Sequence, residues 1–130
     1  MDQTFGKEYK LCSQKIIKSI FDEKNTIKQY PFVLNYAMLE LPSEKPFQMV
    51  IAAPKRIFRK AHERNRIKRL CRETVRKNKL ILEDELKMKQ KQAAFFLVYT
   101  SKEELSYEIL LKKTEQLFKK FVAECNTTNQ

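Results

Sequence analysis

The chain has 130 residues, 42% of them hydrophobic, and a formal net charge of +11. Such a length supports one domain with a modest core, and such a hydrophobic fraction argues against a disordered tail. The longest apolar run, Ala93 to Tyr99, falls far short of the roughly 20 residues that a membrane span requires.

In chain order, Ser13 is placed to cap a short helix whose Ile16, Ile17, Ile20 and Phe21 share one face. Past the polar stretch 22–26, the segment Ile27 to Leu41 has strand character. Phe32, Leu34, Tyr36 and Met38 alternate there with Val33, Asn35, Ala37 and Leu39. Both sets are largely apolar, so both faces of this strand are expected to be covered. Pro42 to Pro46 reads as a turn, and Phe47 to Ala53 as the next strand, closed by Pro54. A basic segment follows and is helical from about Ala61. The charged stretch from Asn78 to Gln92 reads as a helix extension or an exposed connection. Ala93 to Tyr99 is a buried strand by its length and aromatic content. The last helix is the clearest element: Tyr107, Leu110, Leu111, Thr114, Leu117, Phe118 and Phe121 form one stripe at helical spacing, with Ser106 as its cap. This order predicts an α+β sandwich in a single domain, 1–130, with one sheet and helices packed on it.

Cysteine and histidine usage narrows the chemistry. Cys12, Cys71 and Cys125 are an odd number without a CxxC pair, which argues against a disulfide framework or a zinc site and suits a reducing cytoplasm. His62 is the single histidine, so no metal site can be built from several imidazoles. No secretory pattern is expected at the N-terminus. No paired carboxylates in an apolar setting, no Ser-His-Asp set and no HExxH stand in the sequence, so no catalytic residue is assigned to the chain.

The distribution of charge says more than its sum. Lys55 to Lys79 holds twelve basic and two acidic residues, a net of +10, which leaves +1 for all the rest. A merely soluble surface needs no such bias, whereas a polyphosphate partner selects it. From Ala61 to Arg76, at about 100° per residue, Ile67, Leu70, Cys71, Thr74 and Val75 fill one arc, predicted to face the sheet. His62, Asn65, Arg66, Lys68, Arg69, Arg72 and Arg76 fill the other, and Arg64 falls at the boundary. Arginine forks grip phosphate oxygens in pairs, so this face suits RNA. A membrane-surface or calmodulin-type helix fits less well, because the apolar arc is small and lacks Trp and Phe. A passive module of ribosomal type would also explain charge and fold.

Arg64-Asn65-Arg66-Ile67-Lys68-Arg69-Leu70, followed by Arg72-Glu73, closely resembles the signature of the bacterial ribonuclease P protein subunit family. In that family an Arg-Asn-Arg motif opens the basic helix after a strand ending in two basic residues, here Lys55-Arg56. The resemblance extends over roughly 11–121, including the Phe32-Val33-Leu34 strand and the Ser106-Tyr107-Glu108 start of the last helix, with flexible termini expected outside it. It implies about four strands in the order α-β-β-β-α-β-α, with a rare left-handed β-α-β crossover.

It also implies a function: one subunit of the ribonucleoprotein endonuclease that hydrolyses the 5′ leader from precursor tRNA in the cytoplasm. The catalytic centre would lie in the RNA subunit with magnesium ions, none held tightly by this chain. Neither a membrane nor an obligate protein partner is implied. Lys55, Arg56, Arg59, Lys60, Arg64, Asn65, Arg66, Lys68, Arg69, Arg72 and Arg76 would contact the catalytic RNA. Asn65 would serve by orientation or through water to an RNA-bound metal. A cleft between the first helix and the sheet, lined by Ile17, Phe21, Phe32 and Tyr36, would hold the single-stranded leader.

Overall fold

The computed structural model describes residues 9–11, 13–42 and 44–128; the expectation for the termini falls largely outside them. Seven elements follow one another: α1 (Gln14–Glu23), β1 (Asn25–Gln29), β2 (Phe32–Met38), β3 (Phe47–Ala52), α2 (Ala61–Lys89), β4 (Ala93–Tyr99) and α3 (Tyr107–Thr128). The order is the expected one.

Local chemistry sets the element ends. Ser13 caps α1 by accepting from the Ile16 amide at 3.3 Å, and Lys24 ends it in the left-handed region at φ 58°. The strand-like stretch from Ile27 is a hairpin rather than one strand. Its chain reverses at Tyr30 and Pro31, and the Pro31 carbonyl is held by the Thr100 amide at 2.7 Å. The reversal contains neither Gly nor Asn, so the usual hairpin signal is missing from the sequence.

The sheet order is β1-β2-β4-β3, antiparallel except for the parallel pair of β3 and β4. These two neighbours are joined through α2, an arrangement consistent with the crossover implied by the family resemblance. Tyr9 to Leu11 lie beside the outer edge of β3, where the Leu11 amide donates to the Met49 carbonyl at 3.2 Å.

Strand alternation divides the hydrophobic residues between two layers. Phe32, Leu34 and Tyr36 of β2, Phe47 and Met49 of β3, and Phe95, Leu97 and Tyr99 of β4 pack with α2 and α3 in the main core. Ala37, Ala94, Val50 and Phe96 face the other way, toward Ile16, Ile17 and Ile20 of α1.

The helix α2 runs for 29 residues, about 43 Å at the usual rise. Its second half is a helix extension and not an exposed connection: Lys79, Leu82, Glu83, Glu85 and Leu86 are all buried. The polar residues there have partners that local periodicity does not reveal. Tyr9 donates its hydroxyl proton to Glu83 Oε2 at 2.5 Å, and Lys79 Nζ stands 4.7 Å from the centre of the Tyr9 ring. Asn78 ties α2 to α3, its Nδ2 donating to the carbonyls of Thr74 and Leu111, both at 3.1 Å.

Candidate nucleic-acid interface

The basic surface begins where β3 ends. Pro54 accepts from the amides of Ile57 and Phe58 at 3.1 and 2.9 Å, folding the connection into a turn. Phe58 is buried, with its ring 5.8 Å from that of Tyr99, so the connection is anchored to the main core. Arg64 closes it from the helix side by donating from Nη1 to the carbonyls of Phe58 and Arg59 at 2.9 and 3.0 Å. Lys55, Arg56, Arg59 and Lys60 are thereby exposed on a pinned loop at the N-terminus of a long helix. The positive end of the helix dipole adds to their attraction for anions.

The helix continues the surface. Ile67, Cys71, Thr74 and Val75 are buried against the sheet and α3, while His62, Asn65, Arg66, Arg69 and Arg72 are exposed and Lys68 and Arg76 half-buried. Expected and observed faces agree. Three of the eleven RNA-contact candidates have acceptors within the chain: Arg64 on the loop carbonyls, Arg66 on Glu104, and Arg76 on Glu73. Arg66 donates from Nε and Nη2 to both Glu104 oxygens at 2.7 Å each. Each pair holds its carboxylate, Glu104 or Glu73, below the ordinary range, chiefly through the arginine hydrogen bond. Among the described residues, Lys55, Arg56, Arg59, Lys60, Lys68, Arg69 and Arg72 have no side-chain ion-pair partner.

The cleft residues separate. Ile17 and Phe21 do stand between α1 and the sheet, the Phe21 ring edge-on to Phe96 at 5.1 Å and 49% exposed. Phe32 and Tyr36 do not line that cleft. Both are buried on the opposite face, where Tyr36 meets Phe121 edge-on at 5.0 Å and donates to Glu124 Oε1 at 2.8 Å. Burial first, and then that hydrogen bond, raise the Tyr36 pKa above the ordinary phenol value. The reason for the correction is the period of two: if Phe32, Leu34 and Tyr36 face α3, then Val33, Asn35 and Ala37 face α1. Because both sets are apolar enough to be covered, alternation alone does not say which layer each one meets.

The groove beside α1 is built instead from two rows across the sheet. Thr26, Asn35, Phe96 and Val50 pair in register, and next to them Lys28, Val33, Val98 and Ala52. Asn35, Phe96, Val50, Val33, Val98 and Ala52 are all only half-buried, so α1 leaves a partly open apolar strip. Ala52 ends β3, two residues before the loop that carries Lys55 and Arg56. The strip and the basic surface thus adjoin. Phe96 was within reach of sequence reasoning, since it alternates with Phe95 and Leu97; Glu104 carried no local signal at all.

Among the described residues no three His, Cys, Asp or Glu side chains gather as a metal cluster. No helix among them is long and apolar enough to cross a membrane.

Comparison with known proteins agrees with this geometry. A ribonuclease P family model matches residues 5–122. The ribonuclease P protein component of Porphyromonas gingivalis is 33% identical over 102 residues, covering 77% of this chain and 74% of its own. The fold is similar to that of the RNase P protein of Thermotoga maritima, with a TM-score of 0.68 at 21% identity over 85% of this chain and 96% of that one. The Staphylococcus aureus RNase P protein gives 0.62 at 16% identity, over 85% and 93%. The matched family and the basic helix on its parallel crossover place this chain in the ribonuclease P protein family.

Proposed function

We propose that the chain is the protein subunit of a bacterial ribonuclease P, an RNA-assisting part of the endoribonuclease that forms the 5′ ends of tRNA in the cytoplasm. The observation that carries this reading is the adjacency of two surfaces of different chemistry. The pinned loop and outer face of α2 offer separated cations and forks for a folded RNA backbone. The strip beside α1 offers half-open apolar and aromatic platforms, suited to unstacked bases of a single strand.

In this proposal Lys55, Arg56, Arg59, Lys60, Arg66, Lys68, Arg69 and Arg72 hold the catalytic RNA. Arg64 shapes their loop, and Asn65 and Arg76 complete the surface. The precursor leader runs over Ile17, Phe21 and Phe96. In this reading the ions that activate water belong to the RNA subunit, as the family resemblance implies. The protein contributes binding: the leader is what distinguishes precursor from mature tRNA, and one stacked base, worth about 1–3 kcal/mol, favours the precursor about 5- to 150-fold.

Reconstitution tests the reading. Added to the cognate RNA subunit at low magnesium, the chain is expected to accelerate cleavage of precursor tRNA and to raise the affinity for leader-bearing over mature tRNA. RNA of ribosomal type copurifying with the chain, together with no effect on the cleavage, would point to a scaffolding module instead.

A further inference from the structure

Arg66 differs from its neighbours on the basic face in one respect: a carboxylate from another element occupies it. Glu104 lies 38 residues away in the connection between β4 and α3, and it meets Arg66 through two parallel hydrogen bonds of 2.7 Å. Two nitrogens on two oxygens is the geometry in which arginine grips a phosphate. In this chain the carboxylate sits where a phosphate would.

The connection that carries Glu104 is held on both sides of it. Tyr99 donates its hydroxyl proton to the Glu103 carbonyl at 2.6 Å and accepts from the Leu105 amide at 3.1 Å. Ser101, buried, accepts from the Glu103 amide at 3.0 Å and from the Tyr30 hydroxyl at 2.8 Å. The Glu104 backbone is therefore fixed, and its side chain reaches Arg66 without first ordering a loop. The pair itself remains open to water, at 51% and 35% side-chain exposure. Exposed pairs are weak, so RNA can displace this one.

We propose that Glu104 is an internal competitor that occupies the phosphate fork of Arg66 in the free protein, so that any RNA must displace it to gain that contact. A nonspecific polyanion gains too little at this position to open the pair. The cognate RNA, which engages the neighbouring cations at the same time, opens it and gains the contact. The inference rests on the RNA-binding function proposed above and adds an autoinhibitory contact to it. The exchange also alters salt dependence: replacing one anion by another at Arg66 releases no net counterion, so the wild-type salt slope omits this contact.

Four proteins test it: wild type, Glu104→Gln, Arg66→Ala and the double variant. Each is titrated over a range of salt with the ribonuclease P RNA of the source organism and with an unrelated structured RNA of equal length. Circular dichroism verifies that all four are folded, which the exposure of both residues favours. Glu104→Gln is expected to bind the unrelated RNA about 2- to 5-fold more tightly, with a salt slope steeper by about 0.7 to 0.9. The cognate RNA should tighten at least as much, because it no longer has to open the pair, and in the Arg66→Ala background the substitution should change nothing. Unchanged or weaker binding of the unrelated RNA by Glu104→Gln would overturn the proposal, as would an undiminished gain without Arg66, which would mean general repulsion. Unaltered binding of the cognate RNA by Glu104→Gln would overturn it too, since that RNA would then not be displacing the carboxylate. A wild type without any preference for the cognate RNA would instead sink the function proposed above, while the cycle on unrelated RNA would still report on the pair.

Discussion

Arg64 reaches six residues back along the chain to donate from Nη1 to the Phe58 carbonyl at 2.9 Å. The sequence places it in the same basic run as Arg66 and Arg69, yet its guanidinium faces the loop. Arg64→Ala is expected to cost about 1–2 kcal/mol of stability, since charged donors on carbonyls are among the stronger hydrogen bonds. RNA affinity should fall as well, because Lys55, Arg56, Arg59 and Lys60 lose their fixed positions. Arg64→Lys should recover only part of this: one nitrogen, Nη1, makes both contacts, but the ammonium sits on a different stem and lacks the planar group that holds it there. Chemical denaturation and RNA titration of both variants check this.

Arg69→Ala should behave differently. Arg69 is exposed, so stability should change by less than about 0.5 kcal/mol. Binding to the RNA subunit should weaken, and the salt slope should shrink by about 0.7 to 0.9, as expected for one lost phosphate contact. An unaltered slope would remove Arg69 from the interface.

Tyr36 and Phe21, both expected in the leader cleft, should behave differently. Tyr36→Phe deletes the hydrogen bond to Glu124 and is expected to cost about 1–2 kcal/mol of stability, with the precursor-to-mature tRNA ratio unchanged. Phe21→Ala, at a half-exposed ring, should cost less stability and lower that ratio by about 5-fold or more. Paired melting and tRNA titration measurements separate the two.

Stability should decline at both ends of the pH scale. Glu73 and Glu104 have pKa values lowered in the folded chain, chiefly by their arginine hydrogen bonds, so their contribution is present above the ordinary carboxylate range and is lost as pH falls below it. The Tyr36 pKa is raised, so its contribution is complete below about pH 10 and is lost as pH rises above that. Melting temperature against pH should show both edges. Tyr36→Phe should flatten the alkaline one, and a Glu73→Gln, Glu104→Gln double variant the acid one.

The thiols of Cys71 and Cys125 should be inert in the native state. Both are buried, and burial pushes the Cys71 pKa up to about 12. With Cys12 replaced by Ser, a thiol reagent at pH 8 should titrate neither cysteine until denaturant is added, and both afterwards. Fast native labelling of Cys71 would contradict the packing of α2 on the sheet.

Local periodicity and composition were enough to place α3, β4, the start of α2 at Ala61 and the division of α2 into an apolar and a cationic face. These are properties of residues a few positions apart, and a helix or strand converts such spacing directly into a shared face. Periodicity did not say which layer a face would meet. Phe32 and Tyr36 were expected beside α1 and lie against α3, because β2 is apolar on both sides and only the assembled layers distinguish them. The charged half of α2 had the look of an exposed segment. Lys79 and Glu83 are buried there because Tyr9, some 70 residues earlier, supplies their partner. The pairing of Glu104 with Arg66 has the same character. Composition determined that this chain carries one concentrated basic surface; the tertiary fold decided which of its cations stand free and which are held. Contacts across 38 or 74 residues depend on how the sheet and helices close upon one another, and no short-range pattern encodes that.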